Sequence, residues 1–591
     1  MSTRQFGTDE THRNPFFPRM LGTHGAVTAE HYLAAQVGAD LLKAGGNAVD
    51  AAVAATFVEG VVNPNMHTVG GECPMLIHMA GSGKVVSVNG NMAAPELATP
   101  RAFRERGLDA VPWEGILAAG VPAAFGALLT ALLRFGTFTF GEVASPAMQL
   151  AREGFPVHKG LIRQLRYGLA ALEEKFRGQW PGSAQVYLPR GKLPQEGQII
   201  KNPALADMFH ALAAAEKSSS GGREGGLQAV LDMFYRGDIA TEIDRYSQAH
   251  DGLLRRSDLE RFETRLEEPV SLDYRGARVF KCGPWNQGPV MLQGLAILEN
   301  FDLRAMGHHS ADYLHTVVEA MKLAYADREQ YYGDPEQVRV PIAELLSKDY
   351  GKLRAQLIDM GTAHPELRPG DPEGGAALLP ADQRLGGKAW GPGTVHVDVI
   401  DRAGNMVACT PSGAWIRSAE VMPGLGFPLG NRMQTFYLEP AHHPNLVAPC
   451  KRPRTTISPS MVFKGDQPWL VFGSMGGDQQ DQWQLQFLLN MLEFGMTLQE
   501  AIEAPKFSSE HFPEFFYPHG FDLNRLRIEP RVDEQVLREL ARRGHDLEIA
   551  GDWSEGYLLA AARDAATGLL EAGCDLRAEK SEVFPSFALC W

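Results

Sequence analysis

The sequence predicts a mixed α/β (α+β) protein, and three observations carry that expectation. From Val395 onward, Val395, Val397 and Val399 alternate with His396 and Asp398, the two-residue period of a half-buried strand. Runs with apolar residues at helical spacing cover 31–43, 204–215 and 310–332. Apolar strand-like runs end in glycine-rich turns, as where Trp469-Leu470-Val471-Phe472 enters Gly473-Ser474-Met475-Gly476-Gly477-Asp478 ahead of a helical run at 483–494.

Taken in order, Gly25 to Ala29 reads as a strand and 31–43 as a helix. The stretch Gly45-Gly46-Asn47-Ala48-Val49-Asp50-Ala51-Ala52 reads as a glycine turn opening a closely packed, alanine-rich helix. Met75 to His78 and 84–89 read as a hairpin after the turn at Gly70-Gly71-Glu72. From 112 to about 280 the pattern is mostly helical, broken by a loop at 218–222. Residues 363–393 hold many Pro and Gly and make a long irregular connection of the kind that is functional or disordered.

That connection ends at Thr394. If Arg402, Ala403 and Gly404 form a three-residue hairpin loop, Asp401 lies opposite Asn405, and counting outward puts Thr394 opposite Ser412. A threonine facing a serine hydroxyl after a Gly/Pro segment is the geometry an N-terminal nucleophile needs. Cleavage before Thr394 would free an α-amine to act as base for the threonine hydroxyl. A threonine that merely packs in a strand fits the same stretch. The turn at Gly476 and Gly477 points backbone N–H groups outward, suited to an oxyanion, a phosphate or a plain chain reversal. The phosphate-loop pattern is absent.

The 591 residues are 44% apolar and 21% charged, with net charge -15, which argues against nucleic acid or an anionic membrane as partner. The six cysteines have no metal-ligand spacing, and reduced, mostly buried thiols are expected. The histidine pairs His308-His309 and His442-His443 are poorly spaced for a shared metal. No metal or cofactor is expected. The polar N-terminal stretch lacks the apolar core of a signal peptide and no long apolar span follows, so a cytoplasmic location is expected.

Five stretches in order resemble the gamma-glutamyltransferase family of N-terminal nucleophile hydrolases. They are Gly45 to Ala52, Glu319 to Pro335, Thr394 through Asn405, Lys451 through Pro459, and Gly473 to Gly477. The resemblance implies a four-layer α-β-β-α sandwich. It implies a precursor that cuts itself between Gly393 and Thr394 into residues 1–393, a large subunit ending in the processing segment 363–393, and residues 394–591, a small subunit. The two would form one intertwined unit, open to pairing as a homodimer. Thr394 would attack an amide carbonyl of a small-molecule substrate, Ser412 would support it in place of a family threonine, and Gly476 and Gly477 would hold the oxyanion.

The departures from the family pattern bear on the substrate. The arginine that holds a glutamyl α-carboxylate is Asn91 here, four residues before Pro95. The Gln-Met-Asp-Asp-Phe-like run is Arg432-Met433-Gln434-Thr435-Phe436, so the aspartate that holds the α-amine is Thr435 and the glutamine is Arg432. A helping asparagine is Ala414, and the serine pair is Thr455-Thr456. Losing both charge partners costs a zwitterionic head group several kcal/mol, at ~1.5–3 kcal/mol per hydrogen bond to a charged group. The expected activity is therefore a self-processing amidohydrolase or acylase with altered acyl specificity, taking a small carboxylated acyl group or an aromatic one beside Trp415. The segment 437–450 is shorter than the family's lid, which suggests an open site. Two alternatives stand beside this. One is a gamma-glutamyl hydrolase or transpeptidase with a pocket rearranged around Arg432 and Asn91. The other is an unprocessed, non-catalytic scaffold.

Overall fold

The computed structural model describes residues 15–163, 168–372, 393–577 and 586–591. Most of the expected connection before Thr394, residues 373–392, lies outside them. The central strands are β1 (Met20–Gly22), β2 (Gly25–Ala29), β3 (Met75–His78), β4 (Val85–Asn89), β5 (Arg265–Glu267), β6 (Val270–Tyr274), β7 (Ala277–Lys281), β8 (Val397–Asp401), β9 (Met406–Cys409), β10 (Ser460–Lys464), β11 (Gln467–Ser474), β12 (Leu558–Arg563), β13 (Leu570–Cys574) and β14 (Phe587–Cys590). They form two seven-stranded sheets, ordered β14-β2-β8-β9-β3-β4-β5 and β1-β13-β12-β11-β10-β7-β6. Every pairing within them is antiparallel.

Side-chain parity stacks these sheets. In the first, Val27, Ile77, Val397, Val399 and Val407 pack against helices α1 (Tyr32–Lys43) and α2 (Ala48–Val62). Their neighbours Ala26, Leu76, Ile400, Met406 and Ala408 meet Met461, Val471, Leu559, Ala561 and Ala572 of the second sheet. On that sheet's far side Val462, Leu470, Phe472, Leu558 and Ala560 pack against α3 (Pro289–Leu298), α4 (Ala311–Tyr331) and α5 (Gln480–Leu492). The result is the four-layer α-β-β-α arrangement. Each fully buried Val, Leu or Ile contributes roughly 1.5–3 kcal/mol. No described helix is long and apolar enough to cross a membrane. The six cysteines are free thiols, and Cys73, Cys282, Cys409 and Cys574 are buried.

Two expectations need correction. β8 is not half-buried, since both of its faces are covered. Its polar face looks into the gap between the sheets, where buried polar groups need partners. The His396 Nδ1 lies 2.9 Å from Thr410 Oγ1 and Nε2 lies 2.8 Å from Asp398 Oδ1. The Thr28 hydroxyl donates to Asp398 Oδ2 at 3.1 Å. Burial pushes the Asp398 carboxyl up, and His396 pulls it back. A Cβ at Gly473 would lie 2.3 Å from the His396 ring, so glycine lets β11 close onto it. Alternating polarity here encodes an internal network rather than a wet face.

The helical stretch also ends early, at Arg261, and β5, β6 and β7 follow. Val270, Leu272 and Tyr274 alternate, and Arg275 and Gly276 both take positive φ, 47° and 84°, in a two-residue hairpin turn. Arg-Gly is a weaker turn signal than Asn-Gly, which hid the hairpin.

Burial pushes the pKa of His67, His158, His511 and His545 down to about 3, 4, 3 and 3. Each is neutral in the fold but titrates near its ordinary value when unfolded. Each therefore contributes stability present above pH ~6.5 and lost as pH falls toward the folded value, up to about 1.4 kcal/mol per pH unit per group. Buried Glu59, pushed up to about 7, acts oppositely, its contribution being lost as pH rises through that value. Glu30, Glu72 and Asp398, also pushed up, act with Glu59. Burial pushes His31, His308, His309 and His519 down as well, so the histidines outnumber the acids and the urea midpoint is expected to fall between pH 6.5 and 4.5. A flat profile would show that these rings are protonated in place.

Candidate active site

The hairpin of β8 and β9 forms in the expected register. Val397 pairs with Cys409 and Ile400 with Met406, and Asp401 N donates to Asn405 O at 3.1 Å. Asp401 fixes the turn, accepting from Asn405 N at 3.0 Å and Asn405 Nδ2 at 2.7 Å. The same carboxylate takes the Ala48 N–H at 3.0 Å and so caps α2. Two of the motifs read from the sequence thus meet at one carboxylate.

At the other end Thr394 bridges to Ser412, and their hydroxyl oxygens are 3.0 Å apart. Arg432 Nη2 donates to Ser412 Oγ at 3.0 Å. Arg432 in turn grips Glu72 through Nε, at 2.9 Å to Oε1 and 3.1 Å to Oε2. Thr455 Oγ1 lies 3.5 Å from Glu72 Oε2. Burial pushes the Glu72 carboxyl up, and Arg432 pulls it back. The positive charge of Arg432 is thus already matched, and it is spent on orienting Ser412. Glu72 was legible in the sequence only as the end of a glycine turn.

The other sequence candidates fall around this chain of contacts. Trp415 Nε1 donates to Gly393 O at 2.5 Å and to Met66 O at 2.9 Å. Thr435 caps its own short turn, its hydroxyl donating to Arg432 O at 2.9 Å. Asn91 is tied to the backbone at Pro453 O, at 2.5 Å, rather than to Thr394 or Ser412. Thr456 is buried one residue beyond Thr455.

Gly476 and Gly477 take φ of 119° and 57°, values that favour glycine. A Cβ at Gly476 would strike the Trp483 ring at 2.4 Å, whereas one at Gly477 would meet nothing within 4 Å. The turn reaches the Thr394 strand through Val395 and Met475, which share one apolar cluster with Trp483.

What holds that turn is a motif on α4. Arg328 is paired with Asp478, and Tyr325 donates to Asp478 O at 2.5 Å. Phe515 N and Gln287 Nε2 complete the grip, on Asp478 Oδ2 at 2.8 Å and Gly477 O at 3.2 Å. Neighbouring Glu329 takes Arg454 Nη2 at 2.8 Å, and Asp327 takes Gly370 N at 2.6 Å, tying down the chain that leads into the connection. Three consecutive charged residues therefore fix three different walls. Arg328→Met is expected to lower stability by about 3–5 kcal/mol in urea unfolding, because Asp478 would be left buried and unpaired. A loss under 1 kcal/mol would mean that the pair is incidental.

The gamma-glutamyltranspeptidase family model matches residues 34–584. The chain belongs to this family. It is 33% identical over 549 residues to the glutathione hydrolase proenzyme of Escherichia coli (strain K12), covering 89% of this chain and 86% of that protein. It is 30% identical over 567 residues to the oxamate amidohydrolase proenzyme of Klebsiella pneumoniae, covering 94% and 98%. The crystal structure of cephalosporin acylase from Bacillus halodurans superposes with a TM-score of 0.83 at 28% identity, over 99% of each chain. The protein is an enzyme, an amidohydrolase or acylase of the gamma-glutamyltranspeptidase family with the N-terminal nucleophile hydrolase fold.

Proposed function

We propose that the chain is a proenzyme that cuts itself between Gly393 and Thr394 and then hydrolyses amides through Thr394. The observation that carries this is the 3.0 Å contact between Thr394 Oγ1 and Ser412 Oγ, next to a Gly393 carbonyl held by two donors. In the mature enzyme the freed Thr394 amine serves as base, Thr394 Oγ forms the acyl-enzyme, and the Gly476 and Gly477 N–H groups stabilise the oxyanion. Residues 1–393 and 394–591 remain one body, because β8 and β9 of the second part are hydrogen-bonded between β2 and β3 of the first in a single sheet.

The acyl group proposed is one without an α-amine. Arg432 is neutralised by Glu72, Thr435 carries no charge, and Trp415, Phe515 and Phe516 form an apolar cluster beside the nucleophile. A gamma-glutamyl substrate is the second reading, favoured by the relative named glutathione hydrolase. The test is intact-mass analysis and N-terminal sequencing of purified protein, followed by an amide screen. Two masses divided at Gly393–Thr394, with turnover of an N-acyl anilide, are expected. A single mass near 64.6 kDa with no turnover would sink the proposal.

A further inference from the structure

We propose that Trp415 is a catalytic residue of the chain's own maturation, its indole N–H and the Ser412 hydroxyl forming an oxyanion hole for the Gly393 carbonyl. This rests on the reading that Thr394 cuts the Gly393–Thr394 bond. Gly393 O accepts from Ser412 Oγ at 2.7 Å and from Trp415 Nε1 at 2.5 Å. A serine hydroxyl has one proton and two lone pairs. Because Ser412 gives its proton to Gly393 O, it accepts from the Thr394 hydroxyl and from Arg432. Every hydrogen-bonding position on Ser412 is then used, and each points in the direction cleavage needs.

Three features tune this second donor. The Arg417 guanidinium stacks 4.0 Å from the centre of the Trp415 ring, and Arg432 lies 5.2 Å from it. A guanidinium over the indole face polarises the ring and makes its N–H a stronger donor. Backbone strain brings the ring into place: Gly413 and Ala414 take φ of 81° and 48°, and a left-handed alanine is costly. That reversal turns Trp415 back over Gly393. The site also requires glycine at 393, where a Cβ would lie 2.4 Å from Arg417 Nη2 and 2.9 Å from the indole.

The step balances without a co-reactant beyond water. Thr394 Oγ attacks the Gly393 carbonyl carbon, the C–O bond forms, and the negative charge on Gly393 O falls between Ser412 and Trp415. The C–N bond then breaks, and the proton given up by the Thr394 hydroxyl ends on the leaving nitrogen of the same residue, while Ser412 keeps its own proton on the Gly393 oxygen. Water hydrolyses the resulting ester, giving a Gly393 carboxylate and restoring the Thr394 hydroxyl beneath a free amine. After cleavage Gly393 is the free end of residues 1–393 and no longer bonded to Thr394, so this hole serves the maturation step. The pair of N–H groups at Gly476 and Gly477 serves substrate.

The test follows the rate of chain splitting by intact mass in freshly folded full-length protein. Two substitutions are made at 415: Trp415→Phe, and Trp415→3-benzothienylalanine, which keeps the ring shape but replaces N–H by sulfur. Both are expected to slow splitting roughly 100-fold or more, the usual effect of losing one oxyanion donor. The isosteric variant guards against a Phe variant that fails to fold, and splitting of that variant at the wild-type rate overturns the proposal. Failure of the underlying reading looks different: wild-type protein would not divide at Gly393–Thr394, or Thr394→Ala would still divide there.

Discussion

A Thr394→Ala chain is expected to remain one species near 64.6 kDa and to show no measurable amide turnover, at least roughly 10⁴-fold below wild type. The substitution removes the proposed nucleophile of both maturation and turnover. Ser412 cannot stand in for it, since its hydroxyl approaches Gly393 at the oxygen, 2.7 Å away, as a donor. Nor can the Thr394 nitrogen act as base in the uncut chain, where it is an amide. Thr394→Ser should restore cutting, more slowly, because the hydroxyl remains while the methyl that fixes its rotamer is gone. Intact-mass time courses of the three chains check this. If the alanine variant still divides between 393 and 394, another group performs the cleavage.

The register around Thr394 was legible because a three-residue loop leaves no freedom: once Asp401 faces Asn405, Thr394 must face Ser412. The helix at Ala48–Val62 was legible from its alanines behind the Gly45-Gly46 turn, and the structure adds the Asn47–Asp50 capping box and buries every residue of the helix. What escaped was long-range. Glu72 gains meaning only from Arg432, 360 residues away, and nothing local to a glycine turn announces an ion pair. Arg328 was legible as helix but not as the clamp on Asp478, 150 residues on. His396 and Asp398 gave a polar alternation that solvent exposure explains equally well, and only the second sheet across the gap decides between the two. Local periodicity sets elements and register. Pairing of buried charges belongs to the tertiary fold.

The acyl preference should appear most clearly in a matched pair of substrates, glutaryl-p-nitroanilide and gamma-glutamyl-p-nitroanilide, which differ only by the α-ammonium. Glutaryl is expected to be favoured in kcat/KM by roughly 5- to 150-fold, the equivalent of about 1–3 kcal/mol for a desolvated polar group left without a partner. Arg417 and Arg432 both lie against Trp415, and Arg432 is already matched by Glu72, so these groups of the wall beside Thr394 offer an ammonium no unmatched acid. The acid within reach, Glu72, is buried and held by Arg432 through both oxygens, and drawing it away would cost that pair. Thr435 offers only a hydroxyl that already donates to Arg432 O. If the gamma-glutamyl anilide is instead turned over as fast as the glutaryl one, the ammonium has found an acid. Glu72→Gln would then separate the cases, abolishing the gamma-glutamyl reaction selectively if Glu72 is that acid and lowering both rates together if its role is to hold Arg432 against Ser412.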